Sequence, residues 1–194
     1  MTRRCVGILI FPDVEVLDFC GPYEVFSVTR LDEARRREDP SPFEVILVAE
    51  REAPVAATGG LRVIPDYSLA RCPPLDILLV PGGWGTRKEI ANEPLLAWVA
   101  ERGRRVETLA SVCTGALLLG HAGLLDGHRA TTHRQSLAWL REAFPSVTVE
   151  ERCPVVELPD SWDAYLGGLG GKDRHELLRK LRRFEREAPD GHAV

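Results

Sequence analysis

The stretch Val106-Glu-Thr-Leu-Ala-Ser-Val-Cys113-Thr-Gly115-Ala-Leu-Leu-Leu-Gly120 decides the reading of this chain. A short apolar run enters Cys113, and a run rich in Ala and Leu leaves from Gly115. The first predicts a strand over 106–112 and the second a helix over 115–125. A strand that feeds a helix through a single cysteine places the thiol at the carboxyl edge of a sheet and at a helix N-terminus. Backbone N–H groups and the helix dipole favour a thiolate there, so a lowered pKa is expected. Gly115 lets the backbone turn tightly behind the sulfur. The arrangement resembles the strand–nucleophile–helix elbow of hydrolases, with sulfur in place of oxygen. The alternative is a small buried cysteine that only fills a β–α junction.

Working outward, residues 4–11, 43–49 and 76–81 are further apolar runs of buried-strand length. Helical periodicity alternates with the extended runs, at about 17–30, 89–102 and 136–144. Gly21-Pro22 predicts a break or a re-initiated turn in the first helix. Gly59-Gly60, between residues 55–58 and 61–64, predicts a hairpin appended to the sheet. Residues 30–42 read as a charged connection, 129–133 as a short extended piece, and 147–152 as a β-branched strand. Alternating strands and helices predict an α/β fold, a flavodoxin-like parallel sheet with helices on both faces.

Composition narrows the function classes. The chain has 194 residues, 44% of them hydrophobic and 28% charged, with a formal charge of −4. That length suits one domain, and that apolar share is too high for a disordered chain. No apolar run approaches the roughly 20 residues of a membrane span. The N-terminal residues 1–16 imitate a signal peptide, but Asp13 interrupts the apolar stretch and no small-residue cleavage site follows. A cytoplasmic protein is therefore expected. The charge balance argues against nucleic acid as the main partner. Only Lys88, Lys172 and Lys180 are lysine, so 22 of the 25 basic residues are arginine, a hint about source rather than activity. The five cysteines are scattered, with no C-x-x-C pair to suggest zinc or a redox dithiol. Each is a core filler or a nucleophile.

Three other segments carry polar candidates. Pro81-Gly82-Gly83-Trp84-Gly85 ends a strand, and glycines there let N–H groups face a developing negative charge. An oxyanion hole would take one N–H from Gly83 and one from Thr114. An ordinary glycine-rich turn is the alternative, and the spacing does not match a dinucleotide loop. Asp18 follows the first strand, where an acid could bond the Cys113 thiol and shuttle its proton; it could equally be a helix cap. Glu24, further along the same helix, is an alternative acid. His133 could be a base or merely a polar residue at a strand end. Trp84 and the segment around Asp18 are expected to border the pocket.

In this order, Phe11-Pro-x-Val-x-x-Leu-Asp18-x-x-Gly-Pro22, Val80-Pro-Gly-Gly83, Ser111-Val-Cys113-Thr-Gly115 and Ala130-Thr-Thr-His133 resemble the ThiJ/PfpI superfamily over residues 4–150. Its protease-type members place histidine directly after the cysteine, and its deglycase-type members have alanine there with glutamate as the acid. Thr114 and Asp18 are similar instead to the isonitrile hydratase branch and to related sensor domains of transcription regulators. The resemblance implies a covalent hydro-lyase mechanism on a small-molecule substrate, with no cofactor or metal. Cys113 would attack the isonitrile carbon and Asp18 would move the proton. Thr114 would orient substrate or water and give an oxyanion N–H. His133 is left outside the reacting set. A homodimer is implied as well. Other superfamily activities (glyoxal hydration, deglycation, peptide hydrolysis) and a non-catalytic sensing domain are the alternatives.

The resemblance stops after Arg152. The family continues with a strand, a small-residue S-A-G-x-S-A-G-x-D turn and a long apolar helix. Here residues 166–175 read LGGLGGKDRH, followed by an Arg-rich stretch. Codons for that segment can be chosen so that the +1 frame encodes the missing turn, so a shifted frame is one reading of 153–194. A divergent tail with a basic amphipathic helix over 173–187 is the other. Either way the expected organisation is an α/β domain over 1–152 and an atypical segment after it. No helix-turn-helix pattern is legible in that segment.

Overall fold

The computed structural model describes residues 3–151, with Gly171 and His175 beyond them. The chain divides into two compact units, Met1–Cys153 and Pro154–Val194. Gly171 and His175 are exposed helical positions of the second. The other expectations for the C-terminal segment lie outside the described residues.

The first unit is built on a parallel sheet. Its strands are β1 (Arg4–Leu9), β2 (Phe43–Ala49), β5 (Tyr67–Ser68), β6 (Ile77–Val80) and β7 (Thr108–Ser111), in the order β5-β2-β1-β6-β7. The pairings are all parallel. Consecutive residues Ile8, Leu9, Ile10 and Phe11 are all buried, as are Leu78, Leu79 and Val80. Successive strand side chains point to opposite faces, so the central strands are covered on both sides. This is the expected α/β architecture, and the strand order reverses between β1 and β6. Ligands bind at such a switch point, at the carboxyl ends of the strands.

Helix α1 (Val16–Val28) runs through Pro22 without a break, so the expected interruption is corrected. Pro22 has no N–H, and the helix gives up only the one bond to the Asp18 carbonyl. The predicted helix over 89–102 is two, α2 (Thr86–Glu89) and α3 (Glu93–Gly103). Asn92 caps α3 by accepting the Leu95 N–H at 3.2 Å, and Pro94 sits in the first turn, where its missing N–H costs nothing. The cap moves the helix start past Ile90. Strand 106–112 shortens to β7, the helix after it is α4 (Gly115–His121), and α5 covers Leu137–Ala143.

The hairpin forms but is not part of the main sheet. Strands β3 (Val55–Ala56) and β4 (Arg62–Val63) make an antiparallel pair of their own. Their loop docks on the β1–α1 connection: Asp13 donates to the Ala56 carbonyl at 2.8 Å and Thr58 to the Val14 carbonyl at 2.9 Å. Among the described residues, strands β8 (Arg129–Ala130) and β9 (Thr148–Val149) pair with each other, in parallel, outside the main sheet.

Candidate active site

Three loops meet at the switch point. They follow β1 (residues 10–15), β6 (81–85) and β7 (112–114). An isolated antiparallel bridge ties Val14 to Gly83, and Glu15 donates to the Gly82 carbonyl at 2.9 Å. Glycine is required at this junction. A Cβ on Gly83, whose φ is +123°, would sit 2.4 Å from the Glu15 nitrogen. One on Gly115 would sit 2.0 Å from the Val80 oxygen, and one on Gly82 would sit 2.5 Å from the Thr114 nitrogen. The backbones of the three loops are therefore in contact with no room between them.

Cys113 stands on this junction with φ +55°, a left-handed conformation that L residues rarely adopt. The Cys113 carbonyl accepts the buried Thr132 hydroxyl at 2.9 Å, which holds the turn in place. Its thiol contacts the Asp18 carboxylate and the Thr114 N–H and hydroxyl. Asp18 also accepts the Gly82 N–H at 3.1 Å. The sequence-derived acid and thiol are thus brought together, and the Asp18 carboxylate bonds the Gly82 loop rather than the N-terminus of α1. Glu24 is exposed on α1, further from the junction, and is not bonded to the thiol.

The expected lowering of the thiol pKa is corrected. Burial pushes the Cys113 thiol above its ordinary 9.0, and the Asp18 charge adds to the rise; the Thr114 N–H and hydroxyl oppose it. Helix α4 has only seven residues, and the charged group that acts on the thiol is an anion rather than a cation. Burial likewise raises Asp18, against the Gly82 N–H and the thiol, which favour its carboxylate. Burial and the neighbouring carboxylate thus favour the neutral thiol over a free thiolate. Cys5, by contrast, sits in β1 with its thiol pushed up to about 11 by burial, next to Glu44, Cys72 and Asp76, and packs against the core.

The expected oxyanion pair is corrected too. The Gly83 N–H donates to the Thr114 hydroxyl at 3.0 Å, so it is already engaged. That hydroxyl lies 3.2 Å from the Thr86 hydroxyl and 3.3 Å from the Gly83 carbonyl oxygen. Thr114 is 5% exposed, and its side chain clamps the Gly83 loop while its N–H and hydroxyl both act on the sulfur. Thr114 has the best-placed donor, and Gly83 supplies the turn.

A cavity of about 440 Å³ opens over the thiol, lined by Glu15, Gly83, Trp84, Arg87, Cys113, Thr114, His133, Gln135 and Ser136. Trp84 borders it, as expected. His133 is an exposed part of the wall whose Nδ1 accepts the Gln135 N–H at 3.3 Å; its charge favours the Asp18 carboxylate, and it makes no bond to the thiol. Sequence reasoning missed Thr132, Thr86 and Arg87. Thr132 was within sight in the Thr-Thr-His run, whereas Arg87 and Thr86 follow the glycine turn with no spacing signal. Among the described residues no group of three or more His, Cys, Asp or Glu side chains is placed to hold a metal ion, and no helix is long and apolar enough to cross a membrane.

Known proteins resemble this chain. The chain is 38% identical over 128 residues to the isonitrile hydratase of Pseudomonas putida, which covers 66% of this chain and 51% of the hydratase. It thus spans about half the length of that relative. It is 39% identical over 100 residues to the HTH-type transcriptional regulator GbdR of Pseudomonas aeruginosa, 50% of this chain and 26% of the regulator. The crystal structure of a ThiJ/PfpI family protein from Pseudomonas syringae matches with a TM-score of 0.64 and 27% identity, over 100% of this chain and 80% of that one. The DJ-1/PfpI family model matches residues 4–157, the stretch that holds the sheet, the elbow and the cavity, and the chain belongs to that family.

Proposed function

We propose that this protein is a cysteine-dependent isonitrile hydratase-like hydro-lyase that converts an isonitrile to an N-substituted formamide. The pairing of Cys113 with the carboxylate of Asp18, at an elbow with φ +55°, carries this reading. A neutral thiol bonded to a carboxylate suits an electrophile that needs both sulfur and a proton on one carbon.

As the Cys113 sulfur bonds to the terminal isonitrile carbon, its proton passes to Asp18 and on to that same carbon. The product of this step is a thioformimidate bound through sulfur. Water adds to its C=N carbon, with the proton delivered to nitrogen, and the developing charge on oxygen lies near the Thr114 N–H. The C–S bond then breaks, sulfur recovers a proton through Asp18, and the formamide leaves. One water is consumed and nothing is oxidised. Asp18 acts as general base and then as general acid, a role that its raised pKa favours. His133 biases Asp18 toward its charged form without touching the thiol.

The similarity to the hydratase supports this assignment, while the similarity to a transcription regulator supports a second reading, a domain that binds a small molecule without turning it over. A homodimer fits the family resemblance, and Leu17 (75% exposed) and Val25 (64%) offer apolar surface on α1 for it. The partner is a small molecule rather than nucleic acid. A reducing cytoplasm suits the free thiols at Cys5, Cys20, Cys72 and Cys113.

The test is to incubate the protein and Cys113→Ala with cyclohexyl isocyanide and follow the formamide. Formation by the wild type, with none above background in the variant, is the expected result. Turnover of methylglyoxal instead would place the chain with the other superfamily enzymes. Binding without turnover of either would make it a sensor.

A further inference from the structure

The cavity over Cys113 is lined by side chains of opposite charge, Glu15 and Arg87. Glu15 lies close enough to Asp18 to raise its pKa, which sets negative charge beside the Asp18–Cys113 pair. Arg87 lines the cavity from α2, and its guanidinium carbon lies 4.0 Å from the Trp84 ring centre and 6.0 Å from that of Trp139. The Trp84 ring supports the guanidinium by a cation–π contact, with Trp139 at the far limit of that range. Among the described residues, Arg87 makes no side-chain hydrogen bond and no ion pair.

Several other arginines of the same unit are engaged through their N–H groups: Arg102 donates to the Cys72 and Pro73 carbonyls, Arg71 pairs with Glu52, and Arg129 pairs with Glu150. Among the described residues, Arg87 is the arginine that combines an aromatic support, unpaired donors and a place in the wall of the Cys113 cavity.

We propose that Arg87 is the specificity-determining residue of this cavity and that the substrate is an isonitrile whose substituent carries a carboxylate. The guanidinium edge matches two carboxylate oxygens at once. Glu15 and Asp18 repel the anionic end, which seats at Arg87 and leaves the uncharged isonitrile carbon toward Cys113. The charges thereby set the direction in which the substrate enters. This inference rests on the hydratase reading for the identity of the reacting group, but the anion site at Arg87 can be tested without turnover.

The experiment uses pairs that differ only in charge: isocyanoacetate, 3-isocyanopropanoate and 4-isocyanobutanoate, each against its methyl ester. In the wild type at least one acid exceeds its ester in kcat/KM by about tenfold or more, the size expected of a charged hydrogen-bonded pair. In Arg87→Met that ratio collapses toward one. Arg87→Lys restores part of it, with the gain carried mostly by KM. Salt weakens the preference because the site is open to solvent.

A second measurement needs no catalysis. The corresponding N-formyl amino acids slow alkylation of Cys113 in the wild type, their methyl esters do so less, and Arg87→Met loses the difference. Failure to turn over any isonitrile, with Arg87-dependent protection retained, overturns the hydratase reading and upholds the anion site. Equal turnover and equal protection by acids and esters in the wild type overturns the proposal. So does a preference for the acids that survives in Arg87→Met.

Discussion

The two sides of the Cys113 cavity are built on opposite principles. The inner side is backbone against backbone: Gly82, Gly83 and Gly115 have no space for a Cβ, and Thr114 and Asp18 are bonded into the loops that they join. The outer side is made of exposed side chains, Trp84, Arg87, His133 and Gln135, which contact one another or solvent. Reacting atoms need fixed geometry, and fixed geometry comes from packed backbone with two discrete alternatives, folded or not. Recognition of a substituent needs only surface chemistry, and exposed side chains can vary without disturbing the sheet. On the proposed function, the inner wall would set the reaction and the outer wall the substrate.

The largest effect that would sharpen this contrast is at Gly115. An alanine Cβ there meets the Val80 oxygen at 2.0 Å, and neither backbone can move without shifting β6 or the elbow. Gly115→Ala should cost about 3 kcal/mol or more, read as a loss of soluble protein or a fall in the urea midpoint. Unchanged stability would break the contrast at its strongest point.

Next in size is Asp18→Asn. Removing the carboxylate should lower kcat/KM about 100-fold. The same change removes the charge that helps raise the thiol, so the pH midpoint for alkylation of Cys113, above 9.0 in the wild type, should fall. Stability gives an independent sign. Because burial raises Asp18 above 3.8, the folded chain holds that proton more tightly than the unfolded one. The stability it contributes is present in acid and is lost as pH rises through the raised value. Asn at this position should flatten that loss in urea titrations run upward from about pH 4.

The smallest effect is expected at a glycine outside the junction. Gly21 lies inside α1, and a Cβ there would meet only the Leu17 Cδ1, at 3.9 Å. Gly21→Ala should stabilise by about 0.5–1 kcal/mol through helix propensity, visible as a rise of about 2–4 °C in Tm. A large loss would show that the outer surface is as constrained as the inner wall.

Much of the fold was legible because burial on both faces writes itself as short apolar runs. Residues 4–11, 43–49 and 76–81 predicted β1, β2 and β6, and the helices expected after the first and third of these runs pointed to parallel pairing. The two-residue strand β5 escaped notice, since Tyr67–Ser68 carries no periodicity and owes its pairing to β2 alone. The division of 89–102 was written in Asn92 and Pro94 but hidden by the apolar spacing that spans it. Pro22 reads as a breaker locally, yet packing of α1 outweighs one lost hydrogen bond.

The sequence by itself determined the positions of Cys113, Asp18 and the glycines, because a strand that ends in a glycine turn or a cysteine can end nowhere but at the sheet edge. Only the tertiary structure decided what those groups do to one another. It engaged the Gly83 N–H with the Thr114 hydroxyl, set a carboxylate beside the thiol so that its pKa rises, and brought Arg87 over Trp84 within the same cavity. Spacing along a chain fixes which residues reach an edge. Hydrogen-bond saturation and the sign of the nearest charge depend on loops far apart in sequence, and those meet only when the sheet is assembled.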